Sequence, residues 1–266
     1  MKDVLRSAAM AFLMFSVIPM PRVEWKKENM RYMLCCLPLV GAVIAGALYV
    51  WMLLSRELGF GRGLYAAGMT LLPVLLSGGI HLDGFCDTAD ALSSHAAPER
   101  KREILKDSHT GAFAILYAAG WFTAYFALCS ETEICGRAAL FLGVLQVFSR
   151  ALGALASVAL PGSGQTGLLA AFRDAAEKKA AWLLGIWLAA CTAGLCALSL
   201  PGGIAAALIA AGNGRIRNYT KLTGERIAAE LEKPIDLGLV PGGPQVLIIH
   251  THATESYEEY DTGYYD

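Results

Sequence analysis

From Ala180 to Asn213 the chain carries no charged side chain, and it holds three further runs of the same kind and a fourth broken only by Arg150. No feature limits the fold more. A helix of about 20 apolar residues crosses the hydrocarbon core of a bilayer, and only helices or closed barrels satisfy the backbone polar groups there. The rest of the composition agrees, with 55% hydrophobic and 17% charged residues in 266. The expected fold is therefore all-α: a polytopic membrane helix bundle with about six or seven hydrophobic segments.

In chain order, residues 1–21 begin with Lys2 and Arg6 and continue into AAMAFLMFSVI. No small-x-small cleavage site precedes Pro19-Met20-Pro21, so this reads as a retained membrane-entering or interfacial helix. Spans are expected at 33–54, 63–80, 110–130 and 138–160. The stretch from Ala180 is expected to divide at Pro201-Gly202-Gly203 into a full span and a shorter last one.

Alternating these spans across the bilayer groups the loops 22–31, 81–109 and 161–179, with eleven Lys and Arg, against 55–62 and 131–137, with three. That asymmetry puts loop 81–109 on the cytoplasmic side of a cytoplasmic membrane. The balance of 22 basic and 23 acidic residues offers no basic field, which speaks against nucleic acid as a partner. The seven cysteines show no CxxC spacing and read as reduced, mostly buried thiols.

The second of these runs delivers the chain into GGIHLDGFCDTADAL, residues 78–92. If 82–92 is helical, Asp83, Asp87 and Asp90 sit at i, i+4 and i+7 and share one face. Carboxylates at that spacing repel and call for a cation between them. Hard oxygen donors with no Cys/His tetrad favour Mg²⁺ or Mn²⁺ over zinc. Magnesium takes one or two carboxylates and completes its shell with water and phosphate, so the face reads as a place for a phosphorylated substrate. The plainer alternative is an acidic helix end favoured by the macrodipole.

Three further groups bear on chemistry. Lys106-Asp107-Ser108-His109-Thr110-Gly111 stands at the mouth of the next span and could grip a diphosphate. Alternatively, Ser108 or Thr110 simply caps that helix. Arg150, costly in an apolar run, faces either the bundle interior and an anionic partner or snorkels to the surface. His81, beside Asp83, is a candidate general base or phosphate donor.

The stretches GGIHLDGFCDTADAL, EILKDSHTGAFAIL and SRALGALASVALP followed by GLLAAF resemble, in order, the motifs of the cobalamin synthase family, the adenosylcobinamide-GDP ribazoletransferases. The likeness covers about residues 1–210. It implies an integral enzyme of a bacterial cytoplasmic membrane that uses Mg²⁺ to join adenosylcobinamide-GDP to α-ribazole or its 5′-phosphate, releasing GMP and forming adenosylcobalamin or its phosphate. On that resemblance Asp83, Asp87 and Asp90 hold the metal, and Lys106, Ser108 and Arg150 bind substrate. His81 or Asp107 takes the hydroxyl proton. A homo-oligomer is compatible with it. A CDP-alcohol phosphotransferase is the alternative, but its Asp-Gly-x-x-Ala-Arg pattern is absent: Phe85, Cys86, Asp87 and Thr88 follow Asp83-Gly84.

Charge density nearly doubles near Gly212-Asn213-Gly214, which marks a boundary between a membrane transferase domain, 1–212, and a foreign-looking tail, 213–266. The family's last membrane segment, with its Gly-Gly-x-Thr-Gly-Asp-like motif, is not found. Instead VLIIHTHATESY resembles the first zinc-site strand of a stage II sporulation protein P-type amidase, with His250, His252 and Glu255 as zinc ligands or their neighbours. A tail of this length makes an incomplete α/β-type unit, and the expectation is a truncated fusion whose tail is inactive.

Overall fold

The computed structural model describes residues 2–107, 109–159 and 168–212, all within a compact unit of Met1–Gly214. The tail 213–266, with its amidase-like strand, and Ser108 lie outside the described residues. Eleven helices and no strand occur among the described residues.

The charge-free runs become the long helices. These are α3 (Met33–Glu57), α7 (Ala112–Glu131), α8 (Gly136–Ala159) and α10 (Ala180–Leu198). Each is long and apolar enough to cross a membrane, and α4 (Arg62–Leu76) with α5 (Ile80–Ser93) passes the same test as one pair bent by 91°. A shorter apolar helix, α11 (Leu200–Gly212), follows α10. It departs at Ser199, whose backbone is extended, so Pro201 falls in the first turn of α11, where a missing N–H costs nothing. The chain is a membrane protein.

The core is built on α3, whose Val40, Ile44, Leu48 and Met52 recur every four residues and are all but inaccessible. Helix α3 packs on α8, and α8 in turn packs on α10. The contact with α8 is close because small residues meet: Gly41 lies on the α8 backbone at Gln146 and Val147, and Gly143 lies on Ala45. Between membrane helices, where apolar surface gains little from leaving lipid, close backbone approach of this kind drives packing. By contrast α7 buries only Ala114 and Cys129 and leaves Phe113, Ile115, Leu116 and Leu128 exposed, as a lipid-facing helix should.

The N-terminal helix α1 (Lys2–Phe15) packs on α3 with Met10, Ala11 and Phe12 buried. Ser7 fastens it to the short helix α2 (Lys27–Met30) by donating to the Asn29 carbonyl at 2.7 Å. Arg31 pairs with Glu177, whose own N–H donates to the Arg31 carbonyl at 3.0 Å. This ties the segment before α3 to the turn between α9 (Leu168–Ala175) and α10. Helix α6 (Pro98–Ile104) lies in the polar loop between α5 and α7. The seven cysteines are all free thiols.

Candidate active site

The site begins where α4 stops. Gly78 and Gly79 both take left-handed backbone, with φ of 65° and 75°, which side chains with a Cβ adopt only under strain. Their N–H groups bond back to Leu75 and Val74, closing α4, and the Gly79 carbonyl accepts the Asp83 N–H at 2.9 Å, opening α5. Two residues thus turn the chain through the bend. The aspartate helix comes out almost perpendicular to α4.

Beside α5 lies a cavity of about 970 Å³, at the upper end of the sizes that hold small ligands. Its polar wall is His81, Asp87, Gln146, Ser149 and Arg150, and its aromatic wall includes Phe15, Trp121, Tyr125 and Phe172. His81 stacks on Phe15, with ring centroids 6.0 Å apart and planes 5° apart, and Phe172 meets Phe15 edge-on. Residues from α1, α5, α7, α8 and α9 therefore meet around one chamber.

Arg150 is only 8% exposed. Its Nη1 donates to the Gln146 carbonyl at 3.1 Å, to Gln146 Oε1 at 2.9 Å and to Ser149 Oγ at 3.2 Å, all on its own helix. Its Nε has no partner among the described residues. Among the described residues no carboxylate pairs with it. A buried guanidinium held only by neutral acceptors is expensive, and it attracts any anion that enters the cavity. Of the two sequence expectations for Arg150, the structure has the bundle interior and not the surface.

The structure distributes the other expected residues unevenly. His81 and Asp87 join Arg150 on the cavity, whereas Asp83, one turn earlier on α5, is exposed and stands outside the lining. Lys106 and Asp107 are exposed in the loop before α7 and do not line the cavity either. Asp107 accepts the His109 N–H at 3.0 Å and meets its Nδ1 at 2.6 Å. Those contacts, the backbone one foremost, hold its carboxyl below the usual aspartate range.

Asp90 departs from the expectation of three converging ligands. Its Oδ2 accepts the Gly111 N–H and its Oδ1 the Ala114 N–H, each at 2.8 Å. Among the described residues no three His, Cys, Asp or Glu side chains converge as a metal site. The cap on α7 also differs from expectation. The residue at its N-cap is Gly111, which has no side chain, and the capping carboxylate comes from α5 rather than from Thr110, while Ser108 lies outside the described residues. A glycine directly before an apolar run, where a hydroxyl would ordinarily cap, was the one trace of this in the sequence. Gln146, Ser149 and the aromatic wall had none, since periodicity alone cannot tell a cavity face from a packed one.

Comparison with known proteins now bears on the same stretches. A sequence model of the cobalamin-5-phosphate synthase family matches residues 7–224. The chain belongs to that family. Its relatives include the adenosylcobinamide-GDP ribazoletransferase of Lachnoclostridium phytofermentans, 43% identical over 175 residues, which are 66% of each chain. The enzyme of the same name from Clostridium perfringens strain 13 is 31% identical over 186 residues, 67% of this chain and 71% of the relative. That of Clostridium botulinum strain Eklund 17B is 36% identical over 116 residues, 44% of this chain and 46% of the relative. The chain thus spans just under two thirds of the first relative's length and less than half of the botulinum enzyme's. No solved structure matches. The synthase-family match takes in the bend, the aspartate helix and the whole cavity wall.

Proposed function

We propose that this chain catalyses the family's reaction, transfer of the phosphocobinamide group of adenosylcobinamide-GDP to a hydroxyl of α-ribazole or its 5′-phosphate, with release of GMP. The observation that carries this reading is Arg150, a buried cation with no acidic partner among the described residues, facing a cavity that also holds His81 and Asp87. Such a group suits a diphosphate oxygen, because a phosphate offers both the charge and the acceptors that the guanidinium lacks.

In this mechanism the ribazole hydroxyl oxygen bonds to the phosphorus attached to cobinamide, and the bond from that phosphorus to the bridging oxygen of GMP breaks. The hydroxyl proton passes to His81 Nδ1 or Nε2. The position of His81 on the cavity supports it over Asp107, which lies in the exposed loop. Arg150 holds the transferred phosphate and offsets the charge that builds on it. The aromatic wall excludes water from the attacked phosphorus and limits hydrolysis.

Two carboxylates one helical turn apart at the edge of a cavity are a donor set of the kind magnesium accepts, with water and phosphate completing its shell. Asp83 and Asp87 would hold that ion. When bound it would neutralise charge on the diphosphate. The loop carrying these residues faces the cytoplasm of a bacterial cell in this reading, in line with the bias of basic residues among the loops.

The test is GMP release from adenosylcobinamide-GDP and α-ribazole by membranes containing the full chain, with Mg²⁺ or with EDTA. Magnesium-dependent release with a cobalamin product is expected. Release of GMP with adenosylcobinamide phosphate, and no cobalamin, as the corrinoid product would replace the transferase reading with a hydrolase.

A further inference from the structure

Asp90 occupies the same helical face as Asp83 and Asp87 but is turned toward another helix. Both of its oxygens accept backbone N–H groups of α7, from residues 21 and 24 positions further along the chain. Gly111 and Ala114 belong to the N-terminal turn of a helix, whose N–H groups have no carbonyl partner within it. The helix supplies no cap of its own. The fit is tight on both sides. A Cβ at Gly111 would fall 2.6 Å from Asp90 Oδ1 and 2.8 Å from its Cγ, and Ala114 is fully buried. A carboxylate at a helix N-terminus also gains from the macrodipole.

We infer that Asp90 is a positioning residue, a lock that fastens the aspartate helix α5 to the N-terminus of α7, and not a ligand of the metal. Both helices line the cavity, α5 with Asp87 and α7 with Trp121 and Tyr125. The lock sets their separation. Its consequence for turnover rests on the transferase reading above, but the lock itself does not.

The test compares Asp90→Asn, Asp90→Ala, Gly111→Ala and Asp87→Asn in the purified full chain, by three readouts. The first is amide hydrogen exchange at Gly111 and Ala114. Asp90→Ala loses protection there, and Asp90→Asn, which keeps one acceptor oxygen, restores most of it at Ala114. The second is Mn²⁺ affinity, measured with the metal alone. Asp87→Asn weakens it by about tenfold or more, and Asp90→Asn leaves it unchanged. The third is GMP release, which falls about 100-fold in both Asp90→Ala and Gly111→Ala, with little further loss when the two are combined because both break one contact.

Unchanged exchange at Gly111 and Ala114 in Asp90→Ala would overturn the lock. A tenfold loss of Mn²⁺ affinity in Asp90→Asn would overturn its separation from the metal. If the wild-type chain neither binds Mn²⁺ nor releases GMP, the transferase reading fails, and the exchange experiment still decides whether Asp90 is the lock.

Discussion

Gly41 of α3 lies directly against Arg150 of α8. A Cβ at position 41 would come within 2.9 Å of the Arg150 Cδ and within 2.6 and 2.8 Å of the Gln146 carbonyl oxygen and the Val147 Cα. Two of those three atoms are backbone and cannot swing aside. The glycine therefore sets both the approach of the two central helices and the place of the buried Arg150 cation on the cavity.

Gly41→Val should separate α3 from α8 at that level. The expected cost is about 1–3 kcal/mol, the usual range for overpacking a core, together with a large loss of GMP release. Gly46→Val on the same helix is the comparison, because a Cβ there meets nothing within 4 Å. Thermal unfolding in detergent should show position 41 sensitive and position 46 tolerant. Equal tolerance at both would remove the packing argument.

Arg150→Met should separate stability from function. Its charge is buried without an acidic partner among the described residues, so an apolar side chain of similar length leaves the fold as stable or stabilises it by about 1–4 kcal/mol. Turnover should nevertheless fall by roughly 10²–10³, the loss seen when a preorganised charge is removed from a reacting group. Arg150→Lys should recover only part of it, since a point charge lacks the planar fork. The measurement pairs melting temperature with GMP release. A variant that loses both together would make Arg150 a structural residue.

Much of this was legible in the sequence, for a physical reason. Span boundaries follow from hydrophobicity and length, and 33–54, 110–130 and 138–160 lie close to α3, α7 and α8 because a bilayer tolerates few other solutions. The helical face of Asp83, Asp87 and Asp90 was legible as periodicity. What each aspartate does along that face was not. Asp87 meets the cavity and Asp90 meets α7 only because α5 leaves α4 at a right angle, and a bend between helices is a tertiary fact carried by two glycines. Likewise Phe15 meets both His81 and Phe172, far apart in sequence, through helix packing that no local pattern encodes.

Asp107 offers a test that does not touch the cavity. Its carboxyl is held below its ordinary value of 3.8, first by the His109 backbone N–H and then by the His109 ring. A depressed folded-state pKa stabilises the turn at pH values above the ordinary one, and that contribution is lost as pH falls through the lowered value. The ¹³C shift of the Asp107 carboxyl should therefore titrate below 3.8 in the folded chain. In His109→Ala the midpoint should move only part of the way back, because the backbone donor survives. A midpoint at the ordinary value in the unaltered chain would mean that the turn does not persist in solution.

The bend at Gly78-Gly79 makes the strongest demand on residue type. Both residues have positive φ, and the first backbone bond of α5, from Asp83 N–H to the Gly79 carbonyl, depends on the second of them. A Cβ at position 79 meets no atom within 4 Å, so the cost of Gly79→Ala is conformational rather than steric crowding by neighbours. It should amount to about 1–2 kcal/mol, the penalty for left-handed backbone at a residue with a side chain. Gly84→Ala, in the middle of α5 with equal room around it, should instead stabilise by about 0.5–1 kcal/mol because alanine favours the helix. Opposite signs from the same chemical change, read by unfolding in detergent, isolate backbone geometry as the cause. If Gly79→Ala also relaxes the 91° turn, Asp87 swings away from Arg150 and GMP release falls with it. A Gly79→Ala chain as stable and as active as the original would show that the bend is held by the helices on either side and not by its glycines.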